Sequence, residues 1–243
     1  MYKRLKRIIY KFFHPQIGEI VMLHRVLFER SPKTDKLNYV LEVSPEYLEQ
    51  TILKYRDLGY KFVNLDEVYR RLFATQFFSK KFVCFTFDDG FIDNYEIAYP
   101  IFKKYNCPFT IYVTSGFVDQ KERIWWCNEN EAGERKLAMT IDQLKILSQD
   151  KLCTVGSHTV SHPHLAELST EQQYKEMLES KKRLEEITGT EIVHFSYPHG
   201  SYNEESLIIA EKCGYKTATR NFGDIIRKGA NPFILNRRYL FEE

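Results

Sequence analysis

The chain has 243 residues, enough for one large α/β domain, and its 43% apolar content is ample for a hydrophobic core. With 35 basic and 33 acidic residues the net charge is only +2, which excludes a global field favouring nucleic acid. The five cysteines form no C-x-x-C pair and indicate buried thiols in a reducing compartment. No stretch reaches the ~18 apolar residues of a membrane-spanning helix or resembles a signal peptide, so we expect a cytoplasmic protein.

The first 14 residues predict a basic amphipathic helix ahead of a main domain at residues 15–243. Apolar and basic side chains recur there with helical spacing, and residues 1–13 contain no acid. Such a helix could contact the anionic inner face of a membrane. It could equally dock on its own domain with a solvated basic face. Its basic and apolar residues are Lys3, Arg4, Lys6, Arg7 and Lys11, and Leu5, Ile8, Ile9 and Phe12.

Strand-length apolar runs alternate with amphipathic helices along the rest of the chain. The predicted strands lie at 20–23, 61–63, 81–87, 109–114, 152–156, 192–196 and 215–219, with a closing pair at 233–240. The predicted helices lie at 45–58, 65–73, 94–105, 140–149, 170–188 and 204–213, and 29–38 is predicted as a loop. This alternation is typical of βαβ units, and it predicts one α/β domain with a mainly parallel, closed sheet.

Two adjacent carboxylates, Asp88 and Asp89, follow the predicted strand at 81–87, and Gly90 after them permits a sharp turn. Neighbouring carboxylates at a buried strand end repel each other unless a cation or another partner lies beside them. Taken alone, the pair could also cap the next helix.

His158 and His162 follow the predicted strand at 152–156 and lie four residues apart, as two imidazoles on one face of a helical turn would. The carboxyl ends of parallel barrel strands meet on one face, so these rings should approach the aspartate pair. Two histidines and one aspartate leave a coordination position open, which is typical of a catalytic metal site. We therefore predict one divalent metal ion, with zinc as the first candidate.

The segments TFDDG at 86–90 and SHTVSHP at 157–163 resemble the first two motifs of the NodB-type polysaccharide deacetylases, carbohydrate esterase family 4. The similarity extends over residues 82–240. That family removes N-acetyl groups from amino sugars on a distorted (β/α)7 barrel, so the resemblance implies this fold. It also implies that Asp88 is the general base and that the metal ligands are Asp89, His158 and His162.

Two further motifs of that family are altered here. In SYPHG at 196–200, Ser196 occupies the position of an arginine that holds the base carboxylate, and His199 occupies an aromatic position. The segment ILNRR at 234–238 lacks the histidine that serves as general acid. Other residues must supply both functions if the chain is an enzyme.

The segment MLHRV at 22–26 resembles the N-terminal segment of the poly-N-acetylglucosamine deacetylase branch. This resemblance implies that His24 is the general acid and that Arg237 pairs with Asp88. The neighbouring Arg238 is an alternative partner for Asp88. Without the resemblance, His24 could simply end a strand and Arg237 could be an ordinary surface arginine.

Further candidate residues follow the predicted strand at 192–196. The backbone N–H of His199, after Tyr197 and Pro198, would complete an oxyanion or substrate site.

Trp125 and Trp126 could stack on a sugar ring or act as a hydrophobic plug.

The resemblance implies a metal-dependent hydrolase that removes N-acetyl groups from an amino-sugar-containing glycan or glycan precursor. Its partner would be an N-acetylated saccharide or a lipid-linked saccharide. Two alternatives remain open at this point. One is a non-catalytic relic that binds a glycan or a lipid-linked sugar, and the other is a deformylase or amidase acting on a nucleotide- or lipid-linked sugar.

Overall fold

The computed structural model describes residues 15–76, 78–120, 124, 137–223 and 225–242. The helix predicted at residues 1–14 and the candidate residues Trp125 and Trp126 lie outside this part of the chain. Among the described residues, no helix is both long enough and apolar enough to cross a bilayer.

Eleven strands are defined in the described residues: β1 (Gln16–Leu23), β2 (Arg25–Val26), β3 (Glu42–Val43), β4 (Lys61–Phe62), β5 (Phe82–Phe87), β6 (Phe109–Val113), β7 (Cys153–Ser157), β8 (His194–Ser196), β9 (Thr217–Thr219), β10 (Ile226–Arg227) and β11 (Arg238–Tyr239). The α-helices there are α1 (Lys36–Leu41), α2 (Pro45–Asp57), α3 (Leu65–Phe73), α4 (Tyr99–Lys104), α5 (Ile141–Gln149), α6 (Thr170–Thr188) and α7 (Glu204–Lys212).

Within the described residues the main sheet has nine strands, in the order β10-β1-β5-β6-β7-β8-β9, with β11 beside β1 and β4 beside β5. Strands β1 and β5 to β9 run parallel to one another, whereas β10 runs antiparallel to β1. The carboxyl ends of the parallel strands therefore lie along one edge of the sheet. This edge carries the loops that contain Asp88, Asp89, His158 and His162.

The C-terminal segment brings the two ends of the sheet together. Leu235 N donates to Ala218 O in β9 over 2.9 Å, while Leu240 N donates to Met22 O in β1 over 2.9 Å. Between these contacts, Arg238 pairs with β1 in parallel register. The sheet thus curls into a barrel that residues 235–240 close, in agreement with the predicted distorted (β/α)7 barrel.

Strand β5 is buried along its whole length because both of its faces are covered. Phe85 and Phe87 pack against Phe102 of α4 at ring-centroid distances of 5.4 and 5.8 Å. On the other face of β5, Cys84 belongs to a second hydrophobic cluster, together with Tyr112 of β6. Because both faces are buried, the sequence of β5 is a nearly continuous run of apolar residues and does not alternate between apolar and polar residues.

Helix ends follow the predicted capping pattern. Thr140 accepts a hydrogen bond from Gln143 N over 3.2 Å and begins α5. Ser169 accepts one from Gln172 N over 3.3 Å and begins α6, which Gly189 ends with a φ of 68°.

Two local predictions differ in part from the structure. The segment predicted as one helix at 94–105 begins with a π-helical turn at Asn94–Ala98, in which Tyr99 N donates to Asn94 O. Pro100 has no N–H for the Glu96 carbonyl, which removes one regular α-helical hydrogen bond there. In addition, helix α1 occupies the end of the segment predicted as a loop at 29–38.

Substitution of Gly156 in β7 tests the packing inside the barrel. A Cβ atom at Gly156 would lie 2.5 Å from Cδ1 of Tyr112 and 3.0 Å from the His194 carbonyl oxygen. We expect Gly156→Ala to lower the free energy of unfolding by about 1–3 kcal/mol, because the barrel interior has no room for the methyl group. Guanidinium unfolding measures this change.

The matched background is Tyr112→Ala, in which the aromatic ring no longer occupies that space. There the same glycine substitution should cost less free energy of unfolding. An equal cost in both backgrounds would contradict the packing account.

Candidate active site

Asp88 and Asp89 leave β5 in a turn that buries both carboxylates, which are 1% and 3% exposed. Asp89 has a φ of 73° and Gly90 a φ of 80°. A Cβ atom at Gly90 would lie 3.2 Å from Cγ1 of Val113, so the backbone passes close over β6. The left-handed conformation of Asp89 is one that non-glycine residues rarely adopt and that tends to occur at functional sites.

The loop after β7 carries His158 and His162, but it is not the single helical turn predicted from their spacing. Thr159 and His162 have φ values of 68° and 62°, so the backbone reverses between the two histidines. Thr159 Oγ1 accepts a hydrogen bond from His162 N over 3.0 Å. The Glu176 carboxylate of α6 accepts hydrogen bonds from the amides of residues 160 and 161 over 2.8 and 3.0 Å.

The structure brings Asp89, His158 and His162 together as one buried cluster. Their candidate ligand atoms all lie within 4.8 Å of one another. Asp89 Oδ1 lies 3.6 Å from His158 Nε2 and 3.3 Å from His162 Nε2. Ligand atoms of a tetrahedral zinc ion with bonds of ~2.0 Å lie about 3.3 Å apart, so these spacings fit such an ion.

The environment of the Asp89 carboxylate also suits the binding of a cation. Asp89 Oδ1 is buried and accepts no hydrogen bond from the described residues. Burial and the charge of Asp88 raise the pKa of Asp89 well above its usual value, although the charges of Arg237 and Arg25 lower it, so a bound cation would stabilise the ionised carboxylate.

The tautomer of His158 suits metal binding. His158 Nδ1 lies 2.8 Å from the Ser196 carbonyl oxygen, to which it must donate, so Nε2 keeps its lone pair for a ligand. Burial lowers the pKa of His158 to about 4 and that of His162 well below its usual value. Both rings are therefore neutral near pH 7, as metal ligands must be.

Asp88 is held by Arg237, which is 1% exposed. Arg237 Nη1 and Nη2 donate to the two carboxylate oxygens of Asp88, each over 2.6 Å. The same guanidinium donates to Ser196 Oγ and to Asn221 Oδ1, both over 2.9 Å. Burial alone would raise the pKa of Asp88, but the charge of Arg237, followed by the charge of His158, the hydrogen bonds from Arg237 and the charge of His24, lowers it to about 2.

Arg237, rather than the alternative Arg238, is thus the partner of Asp88. Arg238 lies 3.2 Å from Glu19 Oε2 through its Nε atom, and it also donates to the Tyr55 hydroxyl. Arg238 therefore takes part in a separate polar cluster with β1 and α2.

His24 follows β1, and its ring is close enough to Asp88 for the charges of the two groups to interact. Burial lowers the pKa of His24 to about 4, while the charge of Asp88 raises it and the charges of Arg237 and His158 lower it. Its Nδ1 atom makes no hydrogen bond with the described residues. The ring lies 5.9 Å from that of Tyr239.

The residues after β8 correct one prediction. Tyr197 was expected at the substrate site, but its side chain is fully buried in the hydrophobic core and its hydroxyl donates to the Phe233 carbonyl over 3.1 Å. Pro198 is buried as well. His199 does lie at the site, with its ring 4.4 Å from that of His162 and a φ of 58°. Its role as an oxyanion donor stays a prediction.

Two polar residues of the site were not predicted from the sequence. Asn221 binds Arg237, and Glu176 holds the loop of the two histidines. A signal for Glu176 exists, since it lies three residues after Gln173 and four before Ser180, both of which are buried residues of α6. A carboxylate on the inward side of a helix needs a partner. The sequence offers no comparable signal for Asn221.

Comparisons with known proteins agree with this geometry. The sequence profile of the polysaccharide deacetylase family matches residues 76–218. YxkH of Bacillus subtilis (strain 168), a protein named as a polysaccharide deacetylase, is 34% identical over 197 residues, or 81% of this chain. The chain spans 65% of the length of YxkH.

Solved structures share the fold. The Streptococcus pyogenes deacetylase PplD, solved in complex with acetate, is 32% identical and superimposes with a TM-score of 0.77 over 92% of each chain. IcaB from Ammonifex degensii is 22% identical, with a TM-score of 0.74 over 93% of each chain. Because the family profile covers more than half of the sequence and PplD aligns over nearly all of it, the chain belongs to the polysaccharide deacetylase family.

Proposed function

We propose that the chain is a metal-dependent hydrolase that removes N-acetyl groups from the amino sugars of a glycan or glycan precursor. The observation that carries this proposal is the ionised Asp88 carboxylate beside the cluster of Asp89, His158 and His162. Metal binding alone requires no second carboxylate held ionised by a buried arginine. Family membership and the similarity to PplD support the same reaction class.

Asp89, His158 and His162 would hold one divalent ion. Two neutral imidazoles and one carboxylate are a ligand set typical of catalytic zinc, which makes zinc our proposed metal. When bound, such an ion polarises a carbonyl oxygen and lowers the pKa of a water molecule.

Asp88 would serve as the general base. With a pKa of about 2 it is ionised throughout the neutral range, and the bidentate contact with Arg237 fixes the orientation of its carboxylate. A carboxylate in this state can accept the proton that the attacking water loses. Arg237 replaces the arginine that is absent at Ser196, so the altered motif does not by itself favour a non-catalytic relic.

His24 would protonate the leaving amine. Since the pKa of His24 is about 4, its ring is mostly neutral near pH 7 and must gain a proton before it can donate one. The negative charge of Asp88 favours that protonated form. His24 would take that proton from solvent and give it to the amine, while Asp88 would return to solvent the proton that it accepted from water, so one proton is taken up and one is released in each turnover.

Acetate release from N-acetylated saccharides tests the proposed function. We expect zinc-loaded protein to release acetate, and we expect His162→Ala to lose both the bound metal and the activity, because one of three ligands is gone. His164→Ala is the matched control, because His164 lies on the same loop but is exposed and outside the cluster. It should retain the metal. Metal content is measured by elemental analysis after dialysis.

Three outcomes would contradict the proposal in different ways. Metal retention in His162→Ala would remove the proposed site. Metal binding without acetate release from any saccharide would favour the glycan-binding relic. Release of formate instead of acetate from formylated sugars would favour a deformylase.

Substitution of His24 tests the proposed acid. His24→Ala should keep the metal and lower amide hydrolysis by ~10² to 10⁴, the usual contribution of a general acid. An aryl acetate should be affected far less, because its phenolate leaves without a proton. An equal loss on amide and aryl ester would show that His24 does not protonate the leaving group. His199 would then be the next candidate.

A further inference from the structure

Two buried residues, Asp93 and Asn94, hold the backbone directly after His24 in the chain. Asn94 Nδ2 donates to the His24 carbonyl oxygen over 2.8 Å, and Asn94 has no exposed surface. Asp93 Oδ1 accepts a hydrogen bond from Val26 N over 2.8 Å, and Asp93 is 4% exposed. Asn94 also donates to Asp93 over 3.2 Å, so the two side chains hold consecutive peptide groups as one unit.

Arg25, between those two peptide groups, is bound to the same unit. Its Nε atom donates to Asp93 Oδ2 over 3.1 Å, and its guanidinium lies 4.7 Å from the ring centroid of Phe91. Removal of charged groups from water costs free energy that a buried ion pair only partly recovers. Stability alone is therefore a weak explanation for an ion pair at this point in the fold.

The His24 ring needs such support because its own polar contacts do not fix it. His24 Nδ1 makes no hydrogen bond with the described residues, whereas His158 Nδ1 donates to the Ser196 carbonyl. The position of the His24 ring therefore depends on its backbone and on packing. A displacement of ~1 Å is enough to reduce a rate by about 10²-fold when a proton must be transferred along a defined path.

We propose that Asp93 and Asn94 are positioning residues for His24. The catalytic consequence of this inference rests on the proposed function, in which His24 is the acid. The segment 88–94 then carries the base, one metal ligand and the support of the acid, so that seven consecutive residues set the spacing between the two proton-transfer groups. Neither Asp93 nor Asn94 touches the reacting atoms in this account.

Asn94→Ala in the zinc-loaded protein tests the inference. We expect hydrolysis of an N-acetylated saccharide to fall by about 10²-fold, with unchanged metal content and a loss of less than about tenfold on an aryl acetate. Gln173→Ala is the matched control. This substitution also removes a buried amide, whose Oε1 atom accepts a hydrogen bond from Ser206 Oγ over 2.6 Å. Gln173 is not one of the site residues, so Gln173→Ala should leave the ratio of the two rates unchanged.

A double-mutant cycle separates positioning from general destabilisation. If Asn94 acts through His24, the losses in His24→Ala and Asn94→Ala should not multiply in the double variant. Fully multiplied losses, or equal losses on amide and aryl ester, would overturn the inference. If Asn94→Ala does not fold, Asn94→Ser replaces it, because the shorter side chain cannot reach the His24 carbonyl.

The imidazole NMR signals of His24, assigned by their loss in His24→Ala, give a readout without turnover. They should shift or broaden in Asn94→Ala and stay unchanged in Gln173→Ala. Unchanged signals in Asn94→Ala would overturn the positioning role. If the wild-type protein releases no acetate, the proposed function fails, and these signals still decide whether Asn94 positions His24.

Discussion

The buried ion pair between Asp88 and Arg237 is the contact on which the site depends. It joins the carboxyl end of β5 to the segment that closes the barrel, 149 residues later in the chain. Loss of one partner would leave a charge buried without compensation, at a cost of about 3–5 kcal/mol. Closure of the barrel and ionisation of Asp88 are thus coupled, since the segment that pairs with β1 and β9 also delivers the guanidinium.

Two loops complete the site through backbone conformations that are uncommon for side-chain-bearing residues. Asp89 and His162 both have left-handed φ values, and each contributes to the candidate metal cluster. Such conformations persist only where surrounding contacts compensate for them. Glu176 provides this compensation for the histidine loop through its hydrogen bonds to the amides of residues 160 and 161.

The sequence predicted the cluster because ionisable residues follow buried apolar runs, and parallel strand ends share one edge. Asp88, Asp89, His158 and His162 follow from that rule, whereas Arg237 required the family resemblance. The spacing of the two histidines suggested a helical turn, since backbone reversal at non-glycine residues leaves no periodic signal.

The burial of Tyr197 could have been predicted from strand alternation. Residues two apart in a strand share a face, so Tyr197 follows Phe195 towards the core while Ser196 faces Asp88. The roles of Asp93 and Asn94 could not be predicted in this way. Polar residues at the start of a helix normally suggest a solvated first turn, and their contacts with residues 24 and 26 are long-range.

Acetate release by zinc-loaded Arg237→Gln at two pH values tests the central claim most directly. Without the guanidinium, burial should raise the pKa of Asp88, so fewer molecules carry an ionised base at low pH. We predict wild-type metal content, with a loss of about 10²-fold near pH 6 that becomes smaller near pH 8.5 as the carboxyl group ionises. A wild-type rate at both pH values, or a loss independent of pH, would contradict the claim that Arg237 keeps Asp88 ionised for catalysis.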